Sequence, residues 1–163
     1  MRRIERILVP IDFSPCSRAA LEHATLVSAS FGATIDVLHV WEPPGFIPVD
    51  TMIIEGERER TLAEFARTRA GQLMEELLAA IESRGVPVRG RLASGPPVET
   101  ILEMARHDYD LIVMGTHGHT GLRHFLAGSV AEKVVRHAPC PVLTVRAEGQ
   151  SDPDAATPLP LDS

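Results

Sequence analysis

A chain of 163 residues with 44% hydrophobic content is the size of one domain and carries enough apolar material for a sizeable core. Its net charge of −6 gives no basic footprint for nucleic acid, and no apolar run is long enough to span a bilayer as a helix. Met1-Arg2-Arg3-Ile4-Glu5-Arg6 leads into only a short apolar segment rather than a secretory core, so the expected setting is the cytoplasm, away from membranes.

Glu148, Asp152, Asp154 and Asp162 supply four of the negative charges after the last base, Arg146, which leaves −2 for the rest of the chain. Residues 148–163 combine those acids with Pro153, Pro158 and Pro160, and are expected to form a disordered acidic tail behind a domain over 1–147. A small phosphorylated ligand remains compatible with the mild charge, because backbone amides hold phosphate without contributing to it. Cys16 follows the first expected strand and Cys140 precedes the last, so a parallel sheet keeps the two thiols beyond disulfide reach.

In chain order, Arg6 to Ile11 is a near-continuous apolar run, the pattern of a strand covered on both faces. Asp12-Phe13-Ser14-Pro15 breaks it with helix-start chemistry, and a helix is predicted over Cys16 to Phe31 with Gly32 as its stop. Ala33 to Val40 is the second strand. Trp41 to Ile54, with three prolines and a glycine, is predicted as a loop able to cover a ligand, and Glu55 to Arg84 as one amphipathic helix ended by Gly85. Val86 to Ala93 alternates and contains Pro87, as an edge strand does. A helix opening at Pro96-Pro97, a buried strand Asp110–Met114, a glycine-rich loop, a helix Ser129–His137 and a strand Pro141–Val145 complete the chain. Strict alternation of this kind predicts an α/β fold: an open five-stranded parallel sheet, order 3-2-1-4-5, with helices on both faces.

In that order the chain reverses direction between strands one and four, and their carboxyl ends frame the expected ligand crevice. Pro10-Ile11-Asp12 and Met114-Gly115 meet there. Gly115 and Gly118 lack Cβ, which permits a sharp turn and close approach of backbone N–H groups to phosphate. Gly128-Ser129 then opens a helix whose first-turn amides and positive dipole end suit an anion. This is no Walker A loop, since the only lysine, Lys133, lies inside the following helix. His117, His119 and His124 have no cysteine or carboxylate at ligand spacing beside them, so no metal site is expected in the protein itself.

The spacing Gly115-x2-Gly118-x9-Gly128-Ser129, the opening Ile7-Leu8-Val9-Pro10-Ile11-Asp12-Phe13-Ser14 and the closing segment Val130 to Leu143 together resemble the universal stress protein family, in its ATP-binding subgroup. The resemblance covers Arg6 to Val145. It implies a Rossmann-like, adenine nucleotide alpha hydrolase-like domain that holds ATP with Mg²⁺. Asp12 would lie near the ribose, Val40 against adenine, and Gly115, Gly118, Gly128, Ser129 and Val130 along the ribose and phosphate path, with Met114, Pro10 and Ile11 as apolar walls. It also implies a homodimer through Pro141–Val145, in keeping with the need to cover an apolar edge. Where many members of that family carry arginine, this chain has His117 or His119, so ATP binding is expected to tighten below about pH 6.5, where histidine becomes charged.

Three functional readings follow. A nucleotide-linked stress-response module needs no catalytic base. A slow ATPase or autophosphorylating enzyme would use Asp12 or a loop histidine against Mg²⁺-ATP, but no general-base constellation stands out. A dimeric interaction module would bind AMP or no nucleotide.

Overall fold

The computed structural model describes residues 3–42, 45, 47–56, 58–116 and 129–146. The elements are β1 (Arg6–Ile11), α1 (Pro15–Phe31), β2 (Thr34–Trp41), β3 (Met52–Glu55), β4 (Arg58–Thr61), α2 (Leu62–Glu82), β5 (Val88–Ser94), α3 (Pro97–Ala105), β6 (Leu111–Gly115), α4 (Ser129–His137) and β7 (Val142–Val145). Five strands form one sheet in the order β5-β2-β1-β6-β7, every pairing parallel. Without the separate β3–β4 ribbon this is the order 3-2-1-4-5 expected from the alternation of elements.

The apolar runs of β1 and β6 follow from burial on two sides. Ile7, Val9, Ile35, Val37 and Val113 pack beneath α1 and α2 against Ala20, Leu21, Ala24, Met74 and Ile81. Leu8, Leu38, Ile112 and Met114 pack on the opposite face against Ile101 and Ala105 of α3 and Ala131 and Val134 of α4. Successive strand residues point to opposite faces, so one continuous sequence run builds both cores.

The helix boundaries have local causes. Ser14 caps α1, its hydroxyl accepting from the Ser17 amide at 3.2 Å, and Gly32 closes it in the left-handed conformation at φ 71°. Because Ser14 is buried, Ser14→Ala is expected to lower stability by about 1 kcal/mol in urea unfolding, with Ser14→Asn retaining more of it.

The segment between β2 and α2 departs from expectation. Residues Met52–Glu55 and Arg58–Thr61 pair as an antiparallel hairpin, and α2 begins at Leu62 rather than Glu55. Two features overrode the helical reading. Met52-Ile53-Ile54 favours strand and Gly56 turns the chain at φ 65°. Thr61 then supplies the true start: its hydroxyl accepts from the Glu64 amide while the Glu64 carboxylate accepts from the Thr61 amide, a capping box. The fully exposed Glu64 carboxyl is held below its usual range by those Thr61 hydrogen bonds.

At the amino end of the sheet, Asp36 of β2 is 2% exposed, and its Oδ2 accepts from the Tyr109 hydroxyl at 2.5 Å and from Arg6 Nη2 at 3.0 Å. Arg91 Nε lies 3.7 Å away, and the Arg6 guanidinium also stacks on the Tyr109 ring. Burial opposes the carboxylate charge, but the Tyr109 and Arg6 hydrogen bonds and the Arg91 and Arg6 charges outweigh it, so Asp36 titrates below the usual range. Tyr109 is pushed up to about 12, by burial first and then by its bond to Asp36.

The expected tail, residues 148–163, lies outside the described residues. Both cysteines are free. Burial, and then the charge of Asp110, push the Cys140 thiol up. Among the described residues no helix is long and apolar enough to cross a membrane.

Candidate functional site

The sheet order places the topological switch point between β1 and β6, so Asp12, just past the end of β1, and Gly115, the last residue of β6, come side by side at the carboxyl end of the sheet. Register then carries the site across to β2: Pro10 aligns with Leu38 and Ile11 with His39, which brings Val40 alongside Asp12. Val40, Met114 and Val130 all join the cluster under α3 and α4, so residues from β2, β6 and α4 share one apolar wall. Ile11 turns the other way, into the core beneath α1.

The turn leaving β1 is held in place by several bonds. Asp12 Oδ1 accepts from the Ser14 amide at 3.0 Å, and Phe13 between them adopts φ 63°, a conformation most side chains avoid. His39 supports that geometry from β2: its ring lies 4.7 Å from the Phe13 ring and its Nδ1 pairs with the Ile11 carbonyl at 3.0 Å. Backbone strain of this kind persists only where surroundings enforce it, and it fixes the direction in which Asp12 leaves the strand.

On the β6 side, Gly115 sits against the first turn of α1. A Cβ there would come within 3.0 Å of the Cys16 carbonyl carbon and 3.1 Å of its oxygen. Glycine therefore lets β6 pack this closely on α1, where any larger residue would press on the Cys16 backbone. Thr116 is buried and donates its amide to the Val145 carbonyl at 3.0 Å, and Cys16 Sγ donates to the same carbonyl at 3.2 Å. The ends of β6 and β7 and the start of α1 are thus tied at one point.

Of the residues expected to bind ligand, Pro10, Ile11, Asp12, Val40, Met114, Gly115 and Val130 are described and lie on elements converging at this end of the sheet. Ser129 begins α4. His117, Gly118, His119 and Gly128 lie outside the described residues. Sequence reasoning did not assign Phe13, His39 and Thr116 to the framework at this end of the sheet. Phe13 had no signal, since a positive φ at a non-glycine residue is imposed by tertiary packing. His39 had a faint one, a polar residue near the carboxyl end of an otherwise apolar strand. Among the described residues no group of three or more His, Cys, Asp or Glu side chains is placed to hold a metal ion.

A five-stranded parallel sheet in the order β5-β2-β1-β6-β7, with helices on both faces, is the architecture of a family of small α/β proteins, and the comparison of sequences names it. Residues 3–146 match the Universal stress protein family, and the chain belongs to that family. It is 34% identical over 143 residues to Universal stress protein MJ0531 of Methanocaldococcus jannaschii, covering 87% of this chain and 82% of the relative. The solved structure of MJ0577, described as a hypothetical protein whose biochemical function was assigned from its structure, superposes with a TM-score of 0.75 at 29% identity, covering 91% of this chain and 99% of the other. A family member from Arabidopsis thaliana, solved with AMP bound, shares the fold at a TM-score of 0.64 and 20% identity, covering 93% and 97%.

Proposed function

We propose that this chain binds an adenine nucleotide, ATP with its Mg²⁺, in the crevice between β1 and β6, and acts as a cytoplasmic nucleotide-linked stress-response module over residues 1–147 rather than as a catalyst. The observation that carries this reading is the convergence of Val40, Met114 and Val130 in one apolar wall beside Asp12 at the topological switch point. That wall suits the flat face of adenine, and the Asp12 carboxylate suits the ribose hydroxyls. Pro10 and Ile11 complete the strand end. Gly115, His117, Gly118, His119, Gly128, Ser129 and Val130 would carry the phosphates, with backbone amides as donors. Mg²⁺ in this reading is held by the phosphates and supplies charge neutralisation there. Nucleotide occupancy would shift the population of conformations or assemblies, so no turnover is required.

Two features support a partner of the same kind. β7 is an edge of the sheet and Leu143 on it is 38% exposed, so antiparallel pairing of Pro141–Val145 about a two-fold axis would cover it. AMP is the ligand seen in the Arabidopsis neighbour, which favours a second reading in which the crevice takes AMP rather than ATP.

The test begins with acid extraction of the purified full chain and identification of any co-purified nucleotide, followed by titration calorimetry with ATP and AMP. ATP in the wild-type protein and none in a still-folded Gly118→Val variant is the expected result. Protein that carries no nucleotide and shows no thermal shift with Mg²⁺-ATP or AMP would overturn both readings.

A further inference from the structure

We propose that the β3–β4 hairpin is a second self-association surface, through which strand β3 pairs antiparallel with β3 of another copy of this chain. The hairpin stands apart from the main sheet, and among the described residues β3 has β4 as its only strand neighbour. Its two faces differ. Arg60, on the face shared with Ile53, pairs with Glu55 at 2.6 Å and lies over the Phe65 ring of α2 at 6.0 Å. The other face carries Met52 and Ile54, which are 57% and 76% exposed, and Val49 nearby is also exposed.

An isolated two-stranded ribbon is marginal in water, and an apolar strand with an open edge is a template for another strand. The residues of β3 say which strand fits. In an antiparallel register centred on Ile53, each Ile53 faces its own copy, each Met52 faces the other copy's Ile54, and each Glu55 faces an uncharged Thr51. Apolar side chains therefore meet apolar side chains on both faces, and no like charges stand opposite one another. Such a contact is isologous and closes on a two-fold axis, giving a four-stranded sheet β4-β3-β3-β4.

A four-residue edge buries much less than the roughly 1,200–2,000 Å² of a stable interface, so the contact is weak alone and concentration-dependent. Combined with pairing at β7, two different two-fold contacts on one chain join dimers into larger assemblies, closed tetramers where the two axes meet at right angles and open chains otherwise. Without the β7 contact, the hairpin alone gives dimers.

The experiment uses the full chain and reads its mass by sedimentation over a concentration series, for wild type, Ile54→Lys and Leu143→Lys. Ile54→Lys is expected to reduce the limiting mass at high concentration to that of the species held by β7 alone, at least about twofold below wild type. Leu143→Lys reports on the β7 contact separately, so failure there leaves the hairpin result standing. In parallel, Ile53→Cys is oxidised with diamide, which takes up the two thiol hydrogens as the disulfide forms. A disulfide-linked dimer is expected for that variant, and none for wild type, whose Cys16 is buried and Cys140 half-buried. No cross-link in Ile53→Cys together with an unchanged mass in Ile54→Lys would overturn the proposal. So would protection of Met52 from peroxide by ATP with no change in mass, which would make the apolar face a lid over nucleotide.

Discussion

Replacing Asp36 by alanine is expected to lower the unfolding free energy by about 3 kcal/mol, read from urea denaturation at neutral pH. The carboxylate is buried and accepts from both Tyr109 and Arg6, so its removal leaves the buried Tyr109 hydroxyl without its acceptor. A cost at the lower end of the range for a broken buried ion pair is expected, because the Arg6 and Arg91 side chains are 38% and 43% exposed and water takes over part of their solvation. Tyr109→Phe should cost less, about 1–2 kcal/mol, since Arg6 still donates to Asp36 Oδ2 and keeps the carboxylate charge paired.

The same cluster predicts how stability varies with pH. Asp36 titrates lower in the folded chain than in the unfolded one, so its contribution is present above about pH 4 and is lost as pH falls through the depressed folded value. The stability gap between wild type and Asp36→Asn should therefore narrow in acid. Tyr109 behaves oppositely. Its folded value of about 12 exceeds the unfolded value near 10, so the stability it contributes is complete below pH 10 and declines as pH rises towards 12. Tyr109→Phe should remove that alkaline limb.

The second large effect is expected at Gly115. In Gly115→Val the added Cβ meets the Cys16 backbone at 3.0 Å, and a helix backbone yields less readily than a side-chain tip. Overpacking of this kind costs about 1–3 kcal/mol. It also forces the end of β6 away from the start of α1, the two segments that frame the proposed nucleotide site. Nucleotide affinity should fall at least about tenfold, or about 1.4 kcal/mol, in titration calorimetry on folded protein. Gly90→Ala supplies the contrast: its Cβ would press on Met74 Cγ at 2.7 Å and Leu78 Cδ1 at 2.8 Å, far from the crevice. Stability should drop there while nucleotide affinity stays. Equal affinity in wild type and Gly115→Val would sink the link between this packing contact and the site.

Much of the main sheet was legible because its signals are local. The doubly buried runs of β1 and β6 read as apolar, Gly32 and Pro97 punctuate helices at their ends, and strict alternation of strands and helices leaves few topologies. The positions of Asp12, Val40, Met114 and Gly115 at one end of the sheet followed from that topology. The hairpin was not legible. Glu- and Arg-rich residues from Glu55 to Arg60 have the spacing of a solvated helix face, and the competing signals, Met52-Ile53-Ile54 with Gly56 and the capping box at Thr61, are each only a few residues long.

The sequence by itself determined the α/β class, the strand order and the family, because periodicity, glycine placement and motif spacing are properties of neighbouring residues. Only the tertiary structure decided which distant groups meet. Asp36 reads as a stray acid in an apolar strand until Arg6 and Tyr109, 30 and 73 residues away, are brought to it by parallel pairing. Phe13 reads as ordinary until the His39 ring beside it and the Asp12 turn hold it at positive φ. In both cases the energy comes from desolvation and packing between segments, which no local pattern encodes.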